Sequence, residues 1–312
     1  MDTLSIIIPA YNRASQLERT LESVKAQTCR PFEIIIVDNN SSDGTLEVAR
    51  RWKELNETAD MKVTVAEENK PGACAARNRG ASIASGTIFA FFDSDDTMRP
   101  NYAHHIMEAF SNNPEAELVY WRKAVHTVDG QELHPRFAKN DQLYNHLFHA
   151  IFATQTMAMH RSLLDRAGGW NVTLPVWNDW ELGLRLSVTL ASPAVPIDNV
   201  LVDVYAQAES ITGLSFIAKR GLWEQSIETA ARRIAHMPGV ETRLFLNSLA
   251  MKMAILAGHY WREGDPVAGK ETLRRAISLS DNHTRTKLLL ETAYMQTRHH
   301  IRGAARLLYP ML

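Results

Sequence analysis

Cysteine is scarce in this sequence, and long apolar segments are missing. The 312 residues include two cysteines, Cys29 and Cys74, which are too few for a disulfide framework. No apolar stretch approaches the roughly 18 residues of a membrane span. The short apolar run 6–8 lacks the basic region and length of a secretory signal. These absences predict a cytoplasmic protein in a reducing compartment.

A strong charge of one sign and several well-known catalytic motifs are also missing. The formal net charge is −1, so no global field indicates a nucleic acid or an anionic membrane as partner. The sequence has no G-x-G-x-x-G or G-K-S/T phosphate loop, no H-E-x-x-H zinc motif and no G-x-S-x-G elbow. The pairs His104-His105 and His299-His300 fall in helical patterns, which predicts solvated helix faces.

Short apolar runs alternate with helical patterns through the first third of the chain. The runs cover residues 4–8, 32–37, 62–66 and 87–92. Continuous apolar strands that alternate with helices indicate a parallel sheet covered on both faces. We therefore predict an α/β fold with a Rossmann-like, mostly parallel sheet flanked by helices.

Two local signals predict where helices begin and end. Ser15 and Glu18 have capping-box spacing, in which each side chain satisfies the other residue's backbone donor. Residues 71–85 are rich in small side chains and predict a helix that Gly86 ends.

The remaining chain predicts a change from mixed to helical structure. Strands are expected at residues 117–125, 156–159 and 199–205, and a helix is expected at 179–190. From about residue 215 the pattern is helical to the end. We place a domain boundary near Gly213.

The sharpest feature is the acidic run Asp93-Ser94-Asp95-Asp96, which directly follows an apolar strand. Three carboxylates within four residues repel one another unless a cation or solvent relieves them. Hard divalent cations prefer oxygen ligands and often share their shell with substrate phosphates. In parallel sheets, ligands bind beyond the carboxyl ends of the strands. The run therefore predicts a metal that bridges a diphosphate, and a solvated turn that caps the next helix is the alternative.

Other polar residues are expected at the same edge or near an acceptor. Asp38 ends the second strand, where it can accept hydrogen bonds from a base or ribose, or act as a turn residue. Arg77 follows Gly72 in a helix of small residues and can face a nucleotide. Asp179 stands between Trp177 and Trp180, and apolar neighbours suit a carboxylate to take a proton from an acceptor hydroxyl.

Five segments, in order, resemble the inverting family 2 glycosyltransferases, which share the GT-A fold. The resemblance covers residues 4 to about 190. The segments are the opening strand and donor loop Ser5-Ile6-Ile7-Ile8-Pro9-Ala10-Tyr11-Asn12, the second donor loop Ile36-Val37-Asp38-Asn39-Asn40-Ser41-Ser42-Asp43-Gly44-Thr45, Gly72 with the helix Ala76-Arg77-Asn78-Arg79-Gly80, the metal motif Phe92-Asp93-Ser94-Asp95-Asp96 that the family calls DXD, and the acceptor-side residues Gly168-Gly169-Trp170, Asp179-Trp180-Glu181-Leu182 and Arg185.

The resemblance implies a role for each part. Asp38 would contact the base, Asp93 the ribose, and Asp95 or Asp96 a divalent cation, Mn²⁺ or Mg²⁺. Asp179 would be the general base. The implied donor-binding residues are Pro9, Tyr11, Asn12, Arg13, Asp38, Asn40, Gly72, Arg77, Asp93 and Ser94, and those on the acceptor side are Trp170, Trp177 and Trp180.

The resemblance also divides the chain. Residues 1–213 would form the GT-A catalytic domain, with a nucleotide-sugar half at about 1–97 and an acceptor half at about 98–213. Residues 214–312 would form an all-helical extension. In this extension, residues 298–312 predict a docked helix with a basic outer face, or an amphipathic helix on the inner face of a membrane.

The function that the resemblance implies is metal-dependent, inverting transfer of a sugar. The donor would be a nucleoside-diphosphate sugar, with a UDP-sugar as the first expectation. The acceptor would be a sugar, a lipid-linked acceptor or another hydroxyl, in polysaccharide or glycoconjugate synthesis, and no nucleic-acid partner is expected. A nucleotidyltransferase and a non-catalytic nucleotide-sugar-binding module are the alternatives.

Overall fold

The computed structural model describes residues 2–135, 137–206, 215–301 and 303–312. The apolar runs of the first third form strands, as predicted, because β-branched and aromatic side chains pack on both faces of a pleated sheet. The strands are β1 Leu4–Ala10, β2 Phe32–Asp38, β3 Met61–Glu67, β4 Ile88–Phe91, β5 Thr97–Met98, β6 Leu118–His126, β7 Glu132–Leu133, β8 Met157–His160 and β9 Val195–Tyr205.

Helices connect the early strands and occupy most of the last hundred residues. They are α1 Ala14–Lys25, α2 Thr45–Asn56, α3 Ala73–Ile83, α4 Tyr102–Asn112, α5 Gln142–His149, α6 Arg161–Ala167, α7 Asn178–Thr189, α8 Leu222–Ile234, α9 Thr242–Arg262, α10 Pro266–Leu279, α11 Thr284–Arg298 and α12 Ala304–Leu308. Within the described residues, every helix is too short or too polar to cross a lipid bilayer.

The strands form one mixed sheet with the order β3-β2-β1-β4-β8-β6-β9-β5, and β7 pairs with β6. The first four strands of this order are parallel, with Ala10 opposite Asp38 at the carboxyl ends of β1 and β2. Beyond β4 the direction changes, because β8 is antiparallel to both β4 and β6. The predicted α/β class is confirmed, and the parallel part of the sheet coincides with the alternating strands and helices of the sequence.

The described chain divides into two compact units. The first contains residues 1–142, 151–173 and 189–207, and the second contains residues 143–150, 174–188 and 208–312. Two segments from the middle of the chain thus belong to the same unit as the helical C-terminal region. The predicted boundary at Gly213 lies outside the described residues.

The first unit depends on close contact between α3 and the sheet. A methyl group at Gly80 would lie 2.3 Å from Ile7 Cγ2, so any larger residue would push the helix away from β1. This contact explains why the helix is made of small residues. It also sets the distance from the sheet of the polar residues that α3 carries.

The predicted capping box is wrong. The first turn of α1 already includes Ser15, and the Ser15 hydroxyl contacts Gln16 instead of a backbone donor. The loop after β2 supplies the acceptors, since Arg13 N donates to Thr45 Oγ1 at 2.8 Å and Ala14 N donates to Asp43 Oδ2 at 3.1 Å. A long-range contact has therefore replaced the local cap.

The predicted end of α3 at Gly86 is also wrong. The helix ends at Ile83, because Ala84 adopts an extended backbone. Gly86 instead lies against β1, where an added methyl group would be 2.7 Å from the Thr3 carbonyl oxygen. Its small size serves this close approach and not a helix cap.

The second unit has its own apolar core around α9. Buried side chains from α8, α9, α10 and α11 pack together with residues from the segments 143–150 and 174–188. His146 is fully buried among them, with Nε2 2.9 Å from the Trp180 carbonyl oxygen. A methyl group at Gly183 would lie 2.3 Å from this ring, so α7 and α5 touch where glycine is present. The second unit therefore encloses His146 between closely packed helices.

Burial of His146 predicts acid sensitivity. Burial lowers the pKa of His146 to about 3, although the Trp180 carbonyl acts in the opposite direction. The unfolded chain titrates near the ordinary histidine value, so between these two pKa values it binds more protons than the folded chain. The free energy of unfolding should therefore fall as pH falls, at up to about 1.4 kcal/mol per pH unit. Urea unfolding at pH 6, 5 and 4 should show this slope in the wild type and a shallower slope in His146→Gln.

The exposed His299 provides the matched control, since His299→Gln removes a histidine from solvent and not from the core. Parallel loss of stability in the wild type and in His146→Gln would contradict the account.

Candidate active site

The loops after β1 and β2 are bound to each other. Asn39 N donates to the Ala10 carbonyl at 2.8 Å, and Asn12 N donates to Ser41 Oγ at 3.0 Å. Asn12 Oδ1 in turn accepts from Ser42 N at 2.9 Å. The two loops therefore form one rim at the carboxyl end of the parallel strands, as predicted.

Asparagine occupies the strained positions of this rim. Asn12 has φ 50° and Asn40 has φ 62°, in the left-handed region that asparagine tolerates better than most residues. The rim also contains the exposed side chain of Tyr11 and the buried Pro9, at the end of β1. Predicted donor-binding residues from separate parts of the sequence thus share one edge.

Asp38 is buried at the centre of this edge and keeps one acceptor open. Its Oδ2 accepts from Ser41 N at 3.0 Å. Its Oδ1 is buried and has no hydrogen-bond partner among the described residues. Because buried polar atoms are nearly always paired, this oxygen is an exception that leaves an acceptor available to a donor from outside the protein.

Asn39 holds a third loop against the rim. Its Nδ2 donates to the carbonyl oxygens of Glu68 at 2.7 Å and Lys70 at 2.8 Å, and its Oδ1 accepts from Gly72 N at 2.7 Å. Gly72 has φ 114°, which only glycine adopts readily. The local sequence around Asn39 carries no signal for this role, because its three partners lie about thirty residues further along.

Arg77 is set between a carboxylate and an indole. Arg77 Nη2 lies 2.8 Å from Asp93 Oδ1, and the guanidinium lies 4.4 Å from the centroid of the Trp170 ring. Asn78 fixes the Trp170 backbone with two hydrogen bonds of 2.9 Å. Trp170 is buried, so in the first unit it supports Arg77. Its acceptor-side role stays a prediction.

Asp95 is partly open, whereas Asp96 is enclosed. Asp96 accepts from Gln155 Nε2 at 2.8 Å through one oxygen and from Tyr205 N at 3.1 Å through the other. Burial, and then the charges of Asp93 and Asp95, raise the pKa of Asp96 to about 8. Both oxygens of Asp96 are thus used by the protein itself.

Asp95 differs in its exposure and in its partner. Its side chain is 23% exposed, and its Oδ2 lies 3.5 Å from Arg13 Nε. Burial and the charge of Asp93 raise the pKa of Asp95, while Arg13 acts in the opposite direction. The preceding residue, Ser94, is buried. Asp95 and the neighbouring Asp93 are therefore the more accessible carboxylates of the group.

Three further residues position the acidic run, and the sequence carries no local signal for them. Arg19 Nη2 donates to the Asp95 carbonyl at 2.6 Å, and its guanidinium lies 3.9 Å from the centroid of the Tyr205 ring. Thr20 Oγ1 donates to the Asp96 carbonyl at 2.7 Å. Gln155 is 59 residues from the Asp96 carboxylate that it binds. Helical or strand periodicity does not predict such contacts.

A different group of side chains meets the simple geometric condition for a metal site. In the part of the chain that the structure describes, ligand atoms of His104, His105 and Glu108 on α4 lie within 4.8 Å of one another. His104 and Glu108 are exposed and His105 is half-buried, which agrees with the solvated face predicted for the two histidines.

Asp179 belongs to the second unit. It lies in the first turn of α7. The rings of Trp177 and Trp180 flank it in sequence, with centroids 5.4 Å apart. Trp180 is buried and its Nε1 donates to the Leu147 carbonyl at 3.0 Å. Asp179 therefore lies at the start of a helix that the buried Trp180 anchors in the core of this unit.

Comparison with known proteins decides the family. The sequence profile "Glycosyl transferase family 2" matches residues 5–168, which is more than half of the chain. The chain belongs to glycosyltransferase family 2. The predicted family is thus confirmed, and with it the general class of glycosyltransferase enzymes.

The relatives are similar over most of this family 2 chain. A PGL/p-HBAD biosynthesis glycosyltransferase of Mycobacterium bovis is 29% identical over 213 residues, or 68% of this chain and 78% of that protein. An uncharacterised glycosyltransferase of Haemophilus influenzae is 27% identical over 190 residues, or 59% of this chain. The match spans 61% of the Haemophilus protein's own length.

Solved structures of transferases share the fold of this family 2 chain. Residues 1–349 of Staphylococcus aureus TarS in complex with UDP-GlcNAc match with a TM-score of 0.68 at 17% identity, covering 97% of this chain and 90% of that one. The mannosyltransferase PcManGT of Pyrobaculum calidifontis, in complex with GDP-Man and Mn²⁺, matches with a TM-score of 0.60 at 22% identity, covering 99% and 86%. The predicted GT-A fold is confirmed.

The bonds of Asn39 predict a measurable loss of stability. Asn39→Ala removes three hydrogen bonds that hold the loop 68–72, each worth about 1 kcal/mol. We expect the free energy of unfolding, measured with urea, to fall by about 2–3 kcal/mol. Asn39→Asp should lose as much, because its second oxygen would face two carbonyl oxygens. Wild-type stability in Asn39→Asp would contradict this account of the donor bonds.

Proposed function

We propose that this protein transfers a sugar from a nucleoside-diphosphate sugar to an acceptor hydroxyl, with inversion at the anomeric carbon. The observation that carries the proposal is the shared edge of the first unit. There, the buried Asp38 keeps an open acceptor, Arg77 pairs with Asp93, and Asp95 stays accessible. The complexes of TarS with UDP-GlcNAc and of PcManGT with GDP-Man support a nucleotide-sugar donor.

The nucleoside part of the donor fits the buried and aromatic side of the edge. The open Oδ1 of Asp38 accepts a hydrogen bond from an N–H of the base. The exposed ring of Tyr11 offers a surface for stacking. Asp93 accepts from a ribose hydroxyl while Arg77 fixes its orientation. Asn40 and Gly72 would shape the loops around this nucleoside. Among nucleotide sugars, a UDP-sugar is our first expectation for the donor.

A divalent cation, Mn²⁺ or Mg²⁺, fits the acidic group. Burial and mutual repulsion raise the pKa values of Asp95 and Asp96, which is the electrostatic condition that a bound cation relieves. Asp95 would hold the cation together with donor phosphate oxygens, and Asp96, whose oxygens are already bonded, would support the loop. When bound, the cation would supply Lewis-acid stabilisation of charge on the leaving nucleoside diphosphate.

The transfer step needs a base for the acceptor. We propose Asp179, to which the motif resemblance gives the role of base and which lies in the first turn of α7. The acceptor oxygen forms a bond to the anomeric carbon as the bond to the diphosphate oxygen breaks on the opposite face. The hydroxyl proton moves to the Asp179 carboxylate, and the electron pair of the broken bond leaves with the nucleoside diphosphate. Trp177 and Trp180 would provide apolar surface for the acceptor side.

The acceptor and location are proposed from the same relationships. The acceptor would be a sugar, a lipid-linked molecule or another hydroxyl in polysaccharide or glycoconjugate synthesis. The C-terminal region exposes apolar side chains, which supports peripheral contact with the inner face of a membrane. These side chains are Leu288, Met295, Ile301 and Leu307.

Loss of the base should stop turnover without loss of the donor. We expect Asp179→Asn to lower kcat by about 10²–10⁴-fold, the usual contribution of a general base, with an unchanged Kd for the nucleotide sugar. The exposed Asp129→Asn is the control for a lost carboxylate and should keep wild-type kcat. Transfer at the wild-type rate by Asp179→Asn would remove Asp179 from this role.

Loss of Asp95 should instead affect the metal. In Asp95→Asn, we expect the thermal shift caused by UDP with Mn²⁺ to fall to the shift caused by UDP alone, because only ligands of the folded state raise the melting temperature. The melting temperature without ligands should change little, since Asp95 is partly exposed. A full Mn²⁺-dependent shift in Asp95→Asn would contradict the metal assignment.

A further inference from the structure

Tyr205, the last residue of β9, contacts the acidic run and the residue that follows it in three ways. Its backbone N donates to Asp96 Oδ1 at 3.1 Å. The centroid of its ring lies 3.9 Å from Arg19 Cζ, and Arg19 Nη2 donates to the Asp95 carbonyl oxygen at 2.6 Å. Its hydroxyl oxygen lies 3.4 Å from Thr97 Oγ1. One tyrosine thus reaches the consecutive residues 95, 96 and 97, either directly or through Arg19.

The ring of Tyr205 also stacks on His126, its neighbour on β6. The two residues are register partners in the parallel β6–β9 pair, and their ring centroids lie 4.9 Å apart with the planes tilted by 18°. His126 Nε2 lies 2.9 Å from Asp203 Oδ1. Asp203 comes two residues before Tyr205, so both side chains project from the same face of β9. The Asp203 carboxylate thus holds the imidazole that supports the Tyr205 ring.

Asp203 is itself held by a bidentate ion pair. Arg99 Nε donates to Asp203 Oδ2 at 3.1 Å, and Arg99 Nη2 donates to Asp203 Oδ1 at 2.9 Å. The backbone of Arg99 is tied to β9 as well, because its N donates to the Leu201 carbonyl oxygen at 2.9 Å. Bidentate pairs of this kind combine charge attraction with a fixed geometry. From Arg99 to Arg19, the side chains form one connected group that ends on the acidic run.

We propose that Tyr205 is a positioning residue for the acidic run, whose ring orients Arg19 and so sets the main chain of residues 95–97 for a divalent cation. This inference rests on the proposed role of Asp95 in holding that cation. Tyr205 itself contacts neither the cation nor the sugar donor. Sequence spacing does not predict this role, because Asp96 and Thr97 lie 109 and 108 residues before Tyr205.

The acidic run needs such support because its carboxylates repel one another. In a loop that is free to move, the three carboxylates would spread apart. A cation would then have to gather them again, and the cost of ordering the loop would weaken its binding. A guanidinium over a tyrosine ring is attracted by the ring electrons, which limits where Arg19 can lie. Loss of the ring should therefore weaken cation binding and leave binding of the nucleotide alone unchanged.

Binding of Mn²⁺, followed through the electron paramagnetic resonance signal of the free ion, tests the inference without turnover. In Tyr205→Leu, which removes the ring, we expect the Kd for Mn²⁺ in the presence of UDP to rise by about fivefold, the usual effect of one exposed cation–π contact. The Kd for UDP without metal should stay at the wild-type value. Tyr205→Phe keeps the ring and loses only the hydroxyl contact with Thr97, so it should bind Mn²⁺ as the wild type does.

A double-mutant cycle shows whether Tyr205 acts through Arg19. Arg19→Lys keeps the positive charge but has no planar guanidinium, and it should raise the Kd for Mn²⁺ by a similar factor. If the ring and the guanidinium act as one unit, the double variant should bind Mn²⁺ no more weakly than either single variant. Effects that multiply in the double variant would overturn the inference.

A second half-buried tyrosine provides the matched control. Tyr309 packs on the Tyr144 ring with centroids 4.8 Å apart, but it belongs to the second unit. Tyr309→Leu should leave the Kd for Mn²⁺ unchanged. A wild-type Kd for Mn²⁺ in Tyr205→Leu, or a raised Kd for UDP alone, would contradict the positioning role.

Hydrogen–deuterium exchange of the metal-free protein separates this inference from the proposed metal role of Asp95. We expect faster exchange in peptides that cover residues 93–98 in Tyr205→Leu than in the wild type or Tyr205→Phe, because the loop loses its support. Equal exchange of these peptides in all three proteins would refute the support by Tyr205. Faster exchange in Tyr205→Leu, together with a wild type that binds no Mn²⁺, would keep Tyr205 as the support of the run and remove the metal role of Asp95.

Discussion

Repulsion among three neighbouring carboxylates at the end of β4 is the constraint on which the first unit depends. Each carboxylate has different partners in the protein. Arg77 pairs with Asp93, Arg13 approaches Asp95, and hydrogen bonds from Gln155 and the Tyr205 backbone enclose Asp96. These ion pairs and hydrogen bonds order the loop that carries the three carboxylates. Their partners come from four separate parts of the chain. The acidic run is therefore held open on the side of Asp95.

Contacts between residues distant in sequence also hold the loops around this acidic run. Asn39 ties the loop after β3 to the end of β2, and the loop after β2 caps the first turn of α1. The close approach of Gly80 to Ile7 brings Arg77 and its helix to the sheet. The packing of loops and helices against the sheet thus determines where the polar residues of this edge lie. Small residues in α3 therefore contribute to the site without lining it, because they let the helix bring Arg77 close to the sheet.

Much of the fold, and part of the site, was predictable from the sequence. Buried parallel strands have continuous apolar runs, and the carboxyl ends of such strands lie at one edge, so Asp38 and the acidic run could be assigned to the same edge of the sheet from pattern alone. Positions that depend on long-range contacts were not predictable. Ser15 has the spacing of a cap, yet Asp43 and Thr45 supply the acceptors. Gln155 meets the Asp96 carboxylate only through packing, which no local period encodes.

The central claim is that the shared edge of the first unit binds a nucleoside-diphosphate sugar whose sugar is then transferred. The most direct measurement is nuclear magnetic resonance of one reaction mixture containing the full chain, a nucleotide sugar, Mg²⁺ and an acceptor. Phosphorus spectra identify the released nucleotide, and proton spectra give the configuration at the anomeric carbon of the product. The account predicts a nucleoside diphosphate and an inverted glycoside. Release of pyrophosphate, or a glycoside with retained configuration, would contradict it.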